Sequence, residues 1–494
     1  MITAFYLQAY QRLYTMAVIP REEIHIDPSS YMDPSGRVFL WHERVFRGIF
    51  SEHTEHVRRL MNNKIIQSLQ QNGQLIDAWV PPETADGFES LIEHRRIPNP
   101  NYCFEWTPSM LKDAALLTLT ICLELSDDHL TLQDAYPWNI FFDGSKPVLI
   151  DFGSCVPARD DVLWAPYDQF CAFFLFPLYL YSVGLYDTAR KHLFDYVNGL
   201  SSDQFFRLAP WSLKLQHPVP YAKLASNHRV ANAVRRWGLE ERARAFIKTS
   251  YQQKQTQIEQ GRKRFLRALL KEVQSIRMPS EGSHWRAYYE DKKDMCSYGQ
   301  GEFAQKEQIV REVLHRYKPS SVFDAGCNTG VYSRLAAEVG ARVVAVDTDE
   351  SSVSRLYEDA VKSQANILPL VLDVMNPSPS FGWCARQFPS AIARFQTDMV
   401  FAFALIHHLA ISQHQSFERI LQTFDAFATH TILLEWVGPE DRMAKRLIQQ
   451  SLYAYPWYTL DHLEQEIKRR YASYELLSPH TEDRRFIVCR KHPH

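Results

Sequence analysis

Glycine and acidic residues in the C-terminal part of this chain recur at spacings that could bind a nucleoside. DAGCNTGVYSRLAAEVG follows a short apolar run, and Gly326 and Gly330 enclose a tight loop that opens onto a helix. Such a loop lets the backbone approach a ligand closely and directs helix N-terminal N–H groups at it. The next apolar run ends in Asp347, whose carboxylate can accept hydrogen bonds from both ribose hydroxyls. The pattern therefore predicts a nucleoside site.

A third apolar run ends in Asp373, which is placed to accept a hydrogen bond from an adenine amino group. The apolar runs of this region alternate with helical stretches and cover residues 321–326, 342–347, 367–373, 398–405 and 430–436. Continuous apolar strands that alternate with helices indicate a parallel sheet covered on both faces. We therefore predict a Rossmann-type, doubly wound α/β domain over residues 285–494.

The order DAGCNTG, VVAVD, LVLDV and ALIHHLA resembles the successive motifs of class I methyltransferases, which use S-adenosylmethionine. The resemblance implies that Asp324 and Gly326 lie beside the methionine part of that cofactor. It also implies that Asp347 holds the ribose, and that Asp373 and the Val374 amide hold adenine. On the same basis, further cofactor contacts are expected from Cys327, Asn328, Gly330, Thr348 and Ala404.

A nicotinamide dinucleotide is the alternative ligand for the same loop. Enzymes that bind it prefer a G-x-G-x-x-G loop, whereas the spacing here is G-x-x-x-G. Asp324 and Asp373 suit a sulfonium nucleoside better. The common methyltransferase loop has glycine where this chain has Asn328, but asparagine tolerates a left-handed backbone. A Rossmann domain that binds neither cofactor is the remaining alternative.

Two adjacent histidines follow the fourth apolar run, at the edge of the sheet where substrates bind in such folds. A neutral imidazole of His407 or His408 could remove a proton from a hydroxyl or amine during methyl transfer. Histidines that pack in the core or cap a helix are the alternative. Glu435 and Trp436 are further candidates for an acceptor pocket. The aromatic segment 285–299 is expected to fold over the cofactor and exclude water.

A second cluster lies in LTLQDAYPWNIFFDGSKPVLIDFGS, residues 130–154. Asp134 and Asn139 are five residues apart on a predicted loop, and Asp151 begins a D-F-G sequence. Carboxylate and carboxamide oxygens at this spacing suit a hard octahedral cation. The layout resembles the catalytic and metal-binding loops of protein kinases and aminoglycoside-type phosphotransferases. The resemblance implies that Asp134 orients or deprotonates an acceptor, and that Asn139 and Asp151 coordinate the Mg²⁺ of ATP.

Three features of the N-terminal region depart from an active kinase. Residues 1–100 contain no glycine-rich phosphate loop, and Gln133 precedes Asp134 where kinases often have Arg. The strand position that supplies a phosphate-binding Lys in kinases holds Arg47, for which Glu52 or Glu55 would be the helix partner. The sequence leaves open an active kinase, a nucleotide-binding or structural pseudokinase, and a hairpin whose Asp residues cap turns.

The elements of residues 1–100 are typical of a small kinase lobe. Residues 36–50 predict two strands around a turn at His42 and Glu43. Residues 51–73 predict a helix that Ser51 caps and that ends at Gly73, and residues 75–80 predict a further strand.

Residues 101–284 predict a mainly helical large lobe. Helical periodicity over 111–125 and in the basic segment 259–276 flanks the two short strands NIFFDG and KPVLIDFG. Pro and Gly in 278–284 mark a boundary. We therefore predict a kinase-like domain over 1–284, followed by the methyltransferase domain.

Composition excludes several classes of protein. The formal net charge is −2, which argues against broad nucleic-acid binding. The eight cysteines show no C-x-x-C spacing, so no zinc site or disulfide framework is predicted, and we expect a cytoplasmic protein with reduced thiols. Residues 1–16 do not resemble a signal peptide. The most apolar run, 171–186, is too short for a membrane span and contains Pro177, so it predicts a buried helix pair.

Over nearly its full length the chain resembles bacterial proteins related to a rhizobial host-specific nodulation protein. The strings YCFEWTPSMLKDAALLTL, YDQFCAFFLFPL and ALIHHLAIS carry this resemblance, beside the two motifs above. It implies a methyltransferase that acts on a small-molecule or glycan acceptor, which the kinase-like domain binds or presents. The alternatives are a bifunctional enzyme that phosphorylates and methylates a saccharide, and a regulatory pseudokinase whose Rossmann domain senses the cofactor.

Overall fold

The computed structural model describes residues 17–160, 162–239, 241–242, 255–279, 300–479, 481 and 483–492. The N-terminal segment 1–16, the aromatic segment 285–299 and most of the predicted boundary at 278–284 lie outside these residues. The described chain forms an N-terminal part with an antiparallel sheet and a helical lobe, and a C-terminal part around one seven-stranded sheet.

An antiparallel five-stranded sheet opens the N-terminal part. The strands of this part are β1 (Val18–Ile19), β2 (His25–Ile26), β3 (Gly36–Trp41), β4 (Arg44–Ile49), β5 (Ala78–Trp79), β6 (Thr84–Ala85), β7 (Ser90–His94), β8 (Leu130–Leu132), β9 (Ile140–Asp143), β10 (Lys146–Leu149) and β11 (Cys155–Pro157). The sheet has the order β2-β3-β4-β7-β5. Strands β3 and β4 form the predicted hairpin, and its turn residues His42 and Glu43 have φ angles of 46° and 64°.

Two short helices follow the hairpin, α1 (Thr54–Met61) and α2 (Lys64–Gln71). The prediction of one helix over 51–73 is therefore wrong. The helix breaks because the Asn63 side chain accepts a hydrogen bond from the backbone N–H of Ile65 at 2.8 Å and caps a new helix. The predicted cap at Ser51 is also wrong, since Ser51 begins a 3₁₀ turn that precedes Thr54.

The helical lobe is built around a helix that is apolar on nearly all sides. Its helices are α3 (Pro108–Leu125), α4 (Tyr167–Phe170), α5 (Phe176–Ser182), α6 (Tyr186–Phe194), α7 (Ser202–Leu208), α8 (Trp211–Gln216), α9 (Pro218–Arg236) and α10 (Gln255–Ser275). Helix α3 is mostly buried, and its charged residues Lys112, Asp113 and Glu124 lie at partly exposed positions. The predicted burial is confirmed for residues 171–182, but the predicted helix pair is wrong, because α4 continues through a π turn (Cys171–Leu175) into α5, with Pro177 just after that turn. Among the described residues, no helix is long and apolar enough to cross a membrane.

A seven-stranded sheet organises the C-terminal part. Its elements are α11 (Gln300–Tyr317), β12 (Ser321–Ala325), α12 (Val331–Glu338), β13 (Arg342–Asp347), α13 (Glu350–Ser363), β14 (Ile367–Val371), α14 (Ala391–Arg394), β15 (Thr397–Ala402), α15 (Phe417–Phe427), β16 (Ala428–Val437), α16 (Arg442–Gln450), α17 (Leu460–Arg470), β17 (Ser473–Leu476) and β18 (Arg484–Arg490). The order is β14-β13-β12-β15-β16-β18-β17. The five predicted strands are parallel, and β18 pairs antiparallel with β16 and β17.

Both faces of this sheet are covered, as the apolar runs predicted. Successive residues of β12 point to opposite faces, so Val322 packs in the cluster that contains Leu335 of α12. Phe323 stacks on Phe427 of α15 on the other face, with 4.3 Å between ring centroids. The second face continues into the apolar core of the N-terminal part, so one core joins the two parts.

Polar contacts reinforce this junction. Arg394, at the end of α14, donates two hydrogen bonds to Glu105, at 2.8 and 2.5 Å, and both side chains are buried. The Tyr357 hydroxyl of α13 donates to Asp113 of α3 at 2.7 Å. The bidentate pair between Arg394 and Glu105 is the geometry in which an ion pair is strongest.

Replacing Arg394 by Met should lower the free energy of unfolding by about 3–5 kcal/mol, because Glu105 would remain as an uncompensated buried charge. Urea denaturation followed by fluorescence would measure this change. Arg311→Met is the matched control, since Arg311 and Glu338 form an exposed ion pair, and its effect should stay below about 1 kcal/mol. Equal losses in the two variants would show that the buried pair does not hold the parts together.

Candidate functional site

The glycine-rich loop between β12 and α12 is built from left-handed residues. Gly326, Asn328 and Gly330 have φ angles of 74°, 49° and 75°, so Asn328 adopts the conformation predicted for it. A Cβ atom on Gly330 would lie 2.3 Å from Cδ1 of Leu356, which leaves no room for a side chain. The Gly326 N–H donates to the carbonyl of Val346 at 2.9 Å and fixes the loop against the end of β13.

Two carboxylates lie against this loop. Asp347, at the end of β13, accepts hydrogen bonds from the backbone N–H groups of Asn328 at 2.8 Å and Asp349 at 2.9 Å. Asp324 is buried and accepts from the Ser333 hydroxyl at 2.5 Å. Burial raises the pKa of Asp324 to about 7, and the nearby Asp347 charge adds to the shift. Asp324 is therefore poised to ionise when a cation approaches.

The remaining predicted cofactor residues lie at the same edge of the sheet. Asp373 follows β14, where its carboxylate accepts from the Met375 N–H at 2.9 Å, and Val374 is next to it. Thr348 follows β13 and is exposed. Ala404 follows β15 with a φ angle of 47°. Because β14, β13, β12 and β15 are neighbours in that order, their carboxyl ends bring these residues and the loop together.

A buried ion-pair network, which the sequence analysis missed, supports this edge. Lys306 of α11 donates to Glu435 of β16 at 2.6 Å, and Glu435 also accepts from the Ala404 N–H at 2.8 Å. Arg484 of β18 lies 3.5 Å from Glu435 and donates to Asp441 at 2.8 Å. The network ties the loop that carries Ala404 to β16 and β18. The one signal in the sequence was an acid within a buried apolar strand, since a buried charge needs a partner.

Glu435 and Trp436 were expected to line an acceptor pocket. Glu435 instead bonds to Lys306 and to the Ala404 N–H, which favours a role in positioning the loop that carries Ala404. Trp436 is buried and stacks on Tyr458, with 4.8 Å between ring centroids, which favours a packing role.

The two histidines follow β15 at this edge, with 4.2 Å between their ring centroids. His407 is 1 % exposed, and its Nδ1 atom has no hydrogen-bond partner in the described part of the chain. Burial lowers the pKa of His407 well below its ordinary value. Burial and, secondarily, the Arg484 charge lower the pKa of the half-buried His408 to about 4. Both imidazoles are therefore neutral at pH 7.

The structure also brings the kinase-like residues together. Asp134, Asn139 and Asp151 lie on the loops around β8, β9 and β10, and the Asn139 amide donates to Asp151 at 3.3 Å. The Asp134 carboxylate accepts from the Gln169 amide at 3.4 Å. Burial and the charge of Asp151 raise the pKa of Asp134.

Arg47 of β4 closes this second site. Its guanidinium is buried and donates to Asp33 at 2.5 Å and to Asp151 at 3.1 Å. The expectation that Glu52 or Glu55 pairs with Arg47 is wrong, since Glu55 pairs with Arg58 and Arg59 within α1. Both Asp151 oxygens thus have partners. The described residues contain no cluster of three or more His, Cys, Asp or Glu side chains that could hold a metal. Arg47 therefore competes with any cation for the Asp151 carboxylate, although both oxygens of that carboxylate keep further lone pairs.

Fold and sites together define the class of protein. The order of the C-terminal sheet, with its antiparallel β18, and the carboxylates around the glycine loop are those of a class I methyltransferase fold. The order β2-β3-β4-β7-β5, with helices after the third strand and the Asp134 loop beyond α3, is that of a kinase-like fold. The chain is therefore a two-domain protein with a kinase-like domain followed by a Rossmann-type domain.

Comparison with known proteins gives the family. The chain is 31% identical over 432 residues to the nodulation protein NoeA of Rhizobium meliloti (strain 1021), and the match covers 85% of this chain and 86% of that protein. The chain therefore belongs to the NoeA family. It matches no model of a protein family.

Solved structures of low overall similarity include two methyltransferase-type proteins. WbdD, a bifunctional kinase-methyltransferase, has 16% identity and a TM-score of 0.29, with 42% of each chain covered. Magnesium protoporphyrin IX methyltransferase from Synechocystis PCC 6803, with bound SAH, has 16% identity and a TM-score of 0.29, with 42% of this chain and 93% of that chain covered. The assignment of the fold rests on the strand order described above.

Replacing Gly330 by Ala should destabilise the protein by about 2–5 kcal/mol, because a left-handed backbone strain adds to a clash with Leu356. Gly340→Ala is the matched control. Gly340 also has a positive φ, of 92°, but no described atom lies within 4 Å of its Cβ position, so only about 1–2 kcal/mol should be lost. Thermal and urea unfolding measure both variants. Equal losses would contradict the tight packing of the loop on α13.

Proposed function

We propose that this protein is an S-adenosylmethionine-dependent methyltransferase that acts on a small-molecule or glycan acceptor. One observation carries the proposal, namely the convergence of Asp324, Asp347 and Asp373 around a glycine loop at the carboxyl edge of the sheet. The proposed domains are a kinase-like domain over 1–284 and a methyltransferase domain over 285–494. Membership of a nodulation-protein family supports a sugar-containing acceptor, since nodulation factors are modified oligosaccharides.

The residues at this edge fit the cofactor in charge and in shape. Asp347 offers a carboxylate to the ribose hydroxyls, and Asp373 with the Val374 amide offers an acceptor and a donor to adenine. Asp324 has a pKa near 7, so it can ionise beside the ammonium group of the methionine part. Gly326, Cys327, Asn328 and Gly330 let the backbone approach closely, and Thr348 and Ala404 complete the proposed set. When bound, the cofactor supplies an activated methyl group on sulfur.

The histidines supply the proposed base. A methyl acceptor with a hydroxyl or amine must lose a proton as it attacks, and a neutral imidazole can accept it. His408 is the better placed of the two, because it is half-buried whereas His407 is almost fully enclosed. The unpartnered Nδ1 atom of His407 leaves that ring available for a second hydrogen bond within the site.

Two variants test this proposal. Asp347→Ala should weaken S-adenosylmethionine binding by about 2–4 kcal/mol, because charge-assisted hydrogen bonds to the ribose are lost. His408→Ala should keep cofactor affinity but lower methyl incorporation by about 10²-fold or more, because only proton removal is affected. Calorimetry measures binding, and transfer of a labelled methyl group into saccharide extracts measures incorporation.

Glu338→Ala is the control for the cofactor measurement, since Glu338 is exposed and lies outside the site. Unchanged affinity in Asp347→Ala would overturn the ribose assignment. Unchanged incorporation in both His407→Ala and His408→Ala would overturn the proposed base.

For the kinase-like domain, we propose that it binds or presents the acceptor without transferring phosphate. The arrangement of Arg47 supports this role, since its guanidinium takes up the carboxylate of Asp151 that ATP-bound Mg²⁺ would need. The second candidate is a bifunctional enzyme that uses Asp134 as base and Asn139 and Asp151 as Mg²⁺ ligands. The proximity of these three side chains favours it.

Titration of the full chain with ATP and Mg²⁺ separates the two candidates. No saturable, Mg²⁺-dependent heat is expected, because binding would require the buried guanidinium of Arg47 to give up one of its carboxylate partners. Asp151→Ala serves as the control for specific binding. Saturable binding that Asp151→Ala abolishes would establish a working nucleotide site and favour the bifunctional enzyme.

A further inference from the structure

Helices α7, α8 and α9 expose large apolar side chains at the surface of the helical lobe. Trp211 and Trp237 are 72 % and 70 % exposed, and Val219 is 76 % exposed. The other exposed apolar side chains of this stretch are Leu208, Leu215 and Val230. Single exposed apolar residues are normal, but a run of them along neighbouring helices marks an interaction surface.

The positions of these residues place them on shared helix faces. Val219 and Val230 are 11 residues apart, which is close to three turns of an α-helix, so they form one stripe along α9, and Trp237 directly follows the helix. Leu224 is buried on the opposite side and anchors α9 to the lobe. Trp211 and Leu215 are four residues apart on α8 and likewise share a face. The exposed stripes therefore point away from the core.

Basic residues flank the apolar stripes. From Ser202 to Arg236 the three helices and their connections contain one acidic residue, Asp203, in a chain whose overall net charge is −2. The basic residues of the same segment, all of them exposed, are Arg207, Lys214, Lys223, Arg229, Arg235 and Arg236. Glu272 of α10 lies 3.6 Å from Lys223, so the local surplus is four positive charges, since six basic residues oppose two acids. This surface therefore attracts a polyanion.

We propose that this surface, defined by Trp237 and the exposed residues of α7, α8 and α9, binds peripherally to an anionic phospholipid bilayer. Exposed tryptophans suit the boundary between headgroups and acyl chains, and Lys and Arg suit anionic headgroups. A second copy of the chain would bring two surfaces of like charge together. The stripe on α9 is interrupted by Lys223 and Ser226, so it lacks the continuous apolar centre of a stable protein interface.

Vesicle sedimentation with the full-length protein tests the proposal. Binding to vesicles of phosphatidylcholine with 30% phosphatidylglycerol should be at least ~10-fold tighter than binding to pure phosphatidylcholine, and 0.5 M NaCl should weaken it. Trp211→Ser with Trp237→Ser, and separately Arg235→Glu with Arg236→Glu, should each weaken binding at least ~10-fold. Trp383→Ser is the matched control, because Trp383 is also exposed but lies in the other domain, and it should bind as the wild type does.

Circular dichroism melting shows whether each variant is folded. Equal binding to neutral and anionic vesicles, or an equal loss in Trp383→Ser, would overturn the proposal. So would tighter binding to a duplex oligonucleotide than to the anionic vesicles. A concentration-dependent dimer that the tryptophan variants dissolve would assign the surface to a second copy of the chain. None of these readouts depends on methyl transfer or on cofactor binding, so the proposed function is tested separately.

Discussion

The buried ion pair between Arg394 and Glu105 is the constraint on which the two-domain arrangement depends. Two charges are removed from water at this junction, and each needs the other to remain stable. The Arg394 guanidinium also donates to the carbonyls of Pro100 and Pro389, both at 2.9 Å, and lies over the ring of Tyr102. The pair therefore fixes the segment between the two kinase-like lobes against the chain that leads into β15. If one domain moved relative to the other, the two charges would separate. Because both are buried, water could not take the place of the lost partner.

The chain that follows Asp373 also packs on the kinase-like domain. Residues 374–396 connect the predicted adenine acid, Asp373, to β15, and within them Phe381 and Phe388 pack on Trp138 with centroids 5.6 and 4.6 Å apart. Trp138 directly precedes Asn139 in the kinase-like loop. The chain between Asp373 and β15 is therefore packed against the residue next to Asn139 of the kinase-like loop.

Sequence patterns predicted those parts of the structure that local periodicity determines. The five parallel strands are continuous apolar runs, and the glycine loop and its acids follow from the ends of those runs. Strand β18 was missed because only four apolar residues stand between its arginines, and β17 because it alternates polar residues at a sheet edge.

Lys306 and Arg484 were missed for another reason. Lys306 is 129 residues and Arg484 is 49 residues away from Glu435 in the sequence. The residues next to either basic side chain give no sign of a buried partner.

Arg47 shows why a motif alone does not decide catalysis. The residues Asp134, Asn139 and Asp151 have the spacing of a metal-dependent kinase, yet the cation beside them is a buried guanidinium rather than a flexible ammonium. A guanidinium stays charged and prefers planar, hydrogen-bonded partners, so it holds both Asp33 and Asp151. Freeing Asp151 for a metal would leave a fixed buried charge with one partner fewer. Arg47 on β4 and Asp151 of the D-F-G sequence therefore form an ion pair with which a metal ion would have to compete.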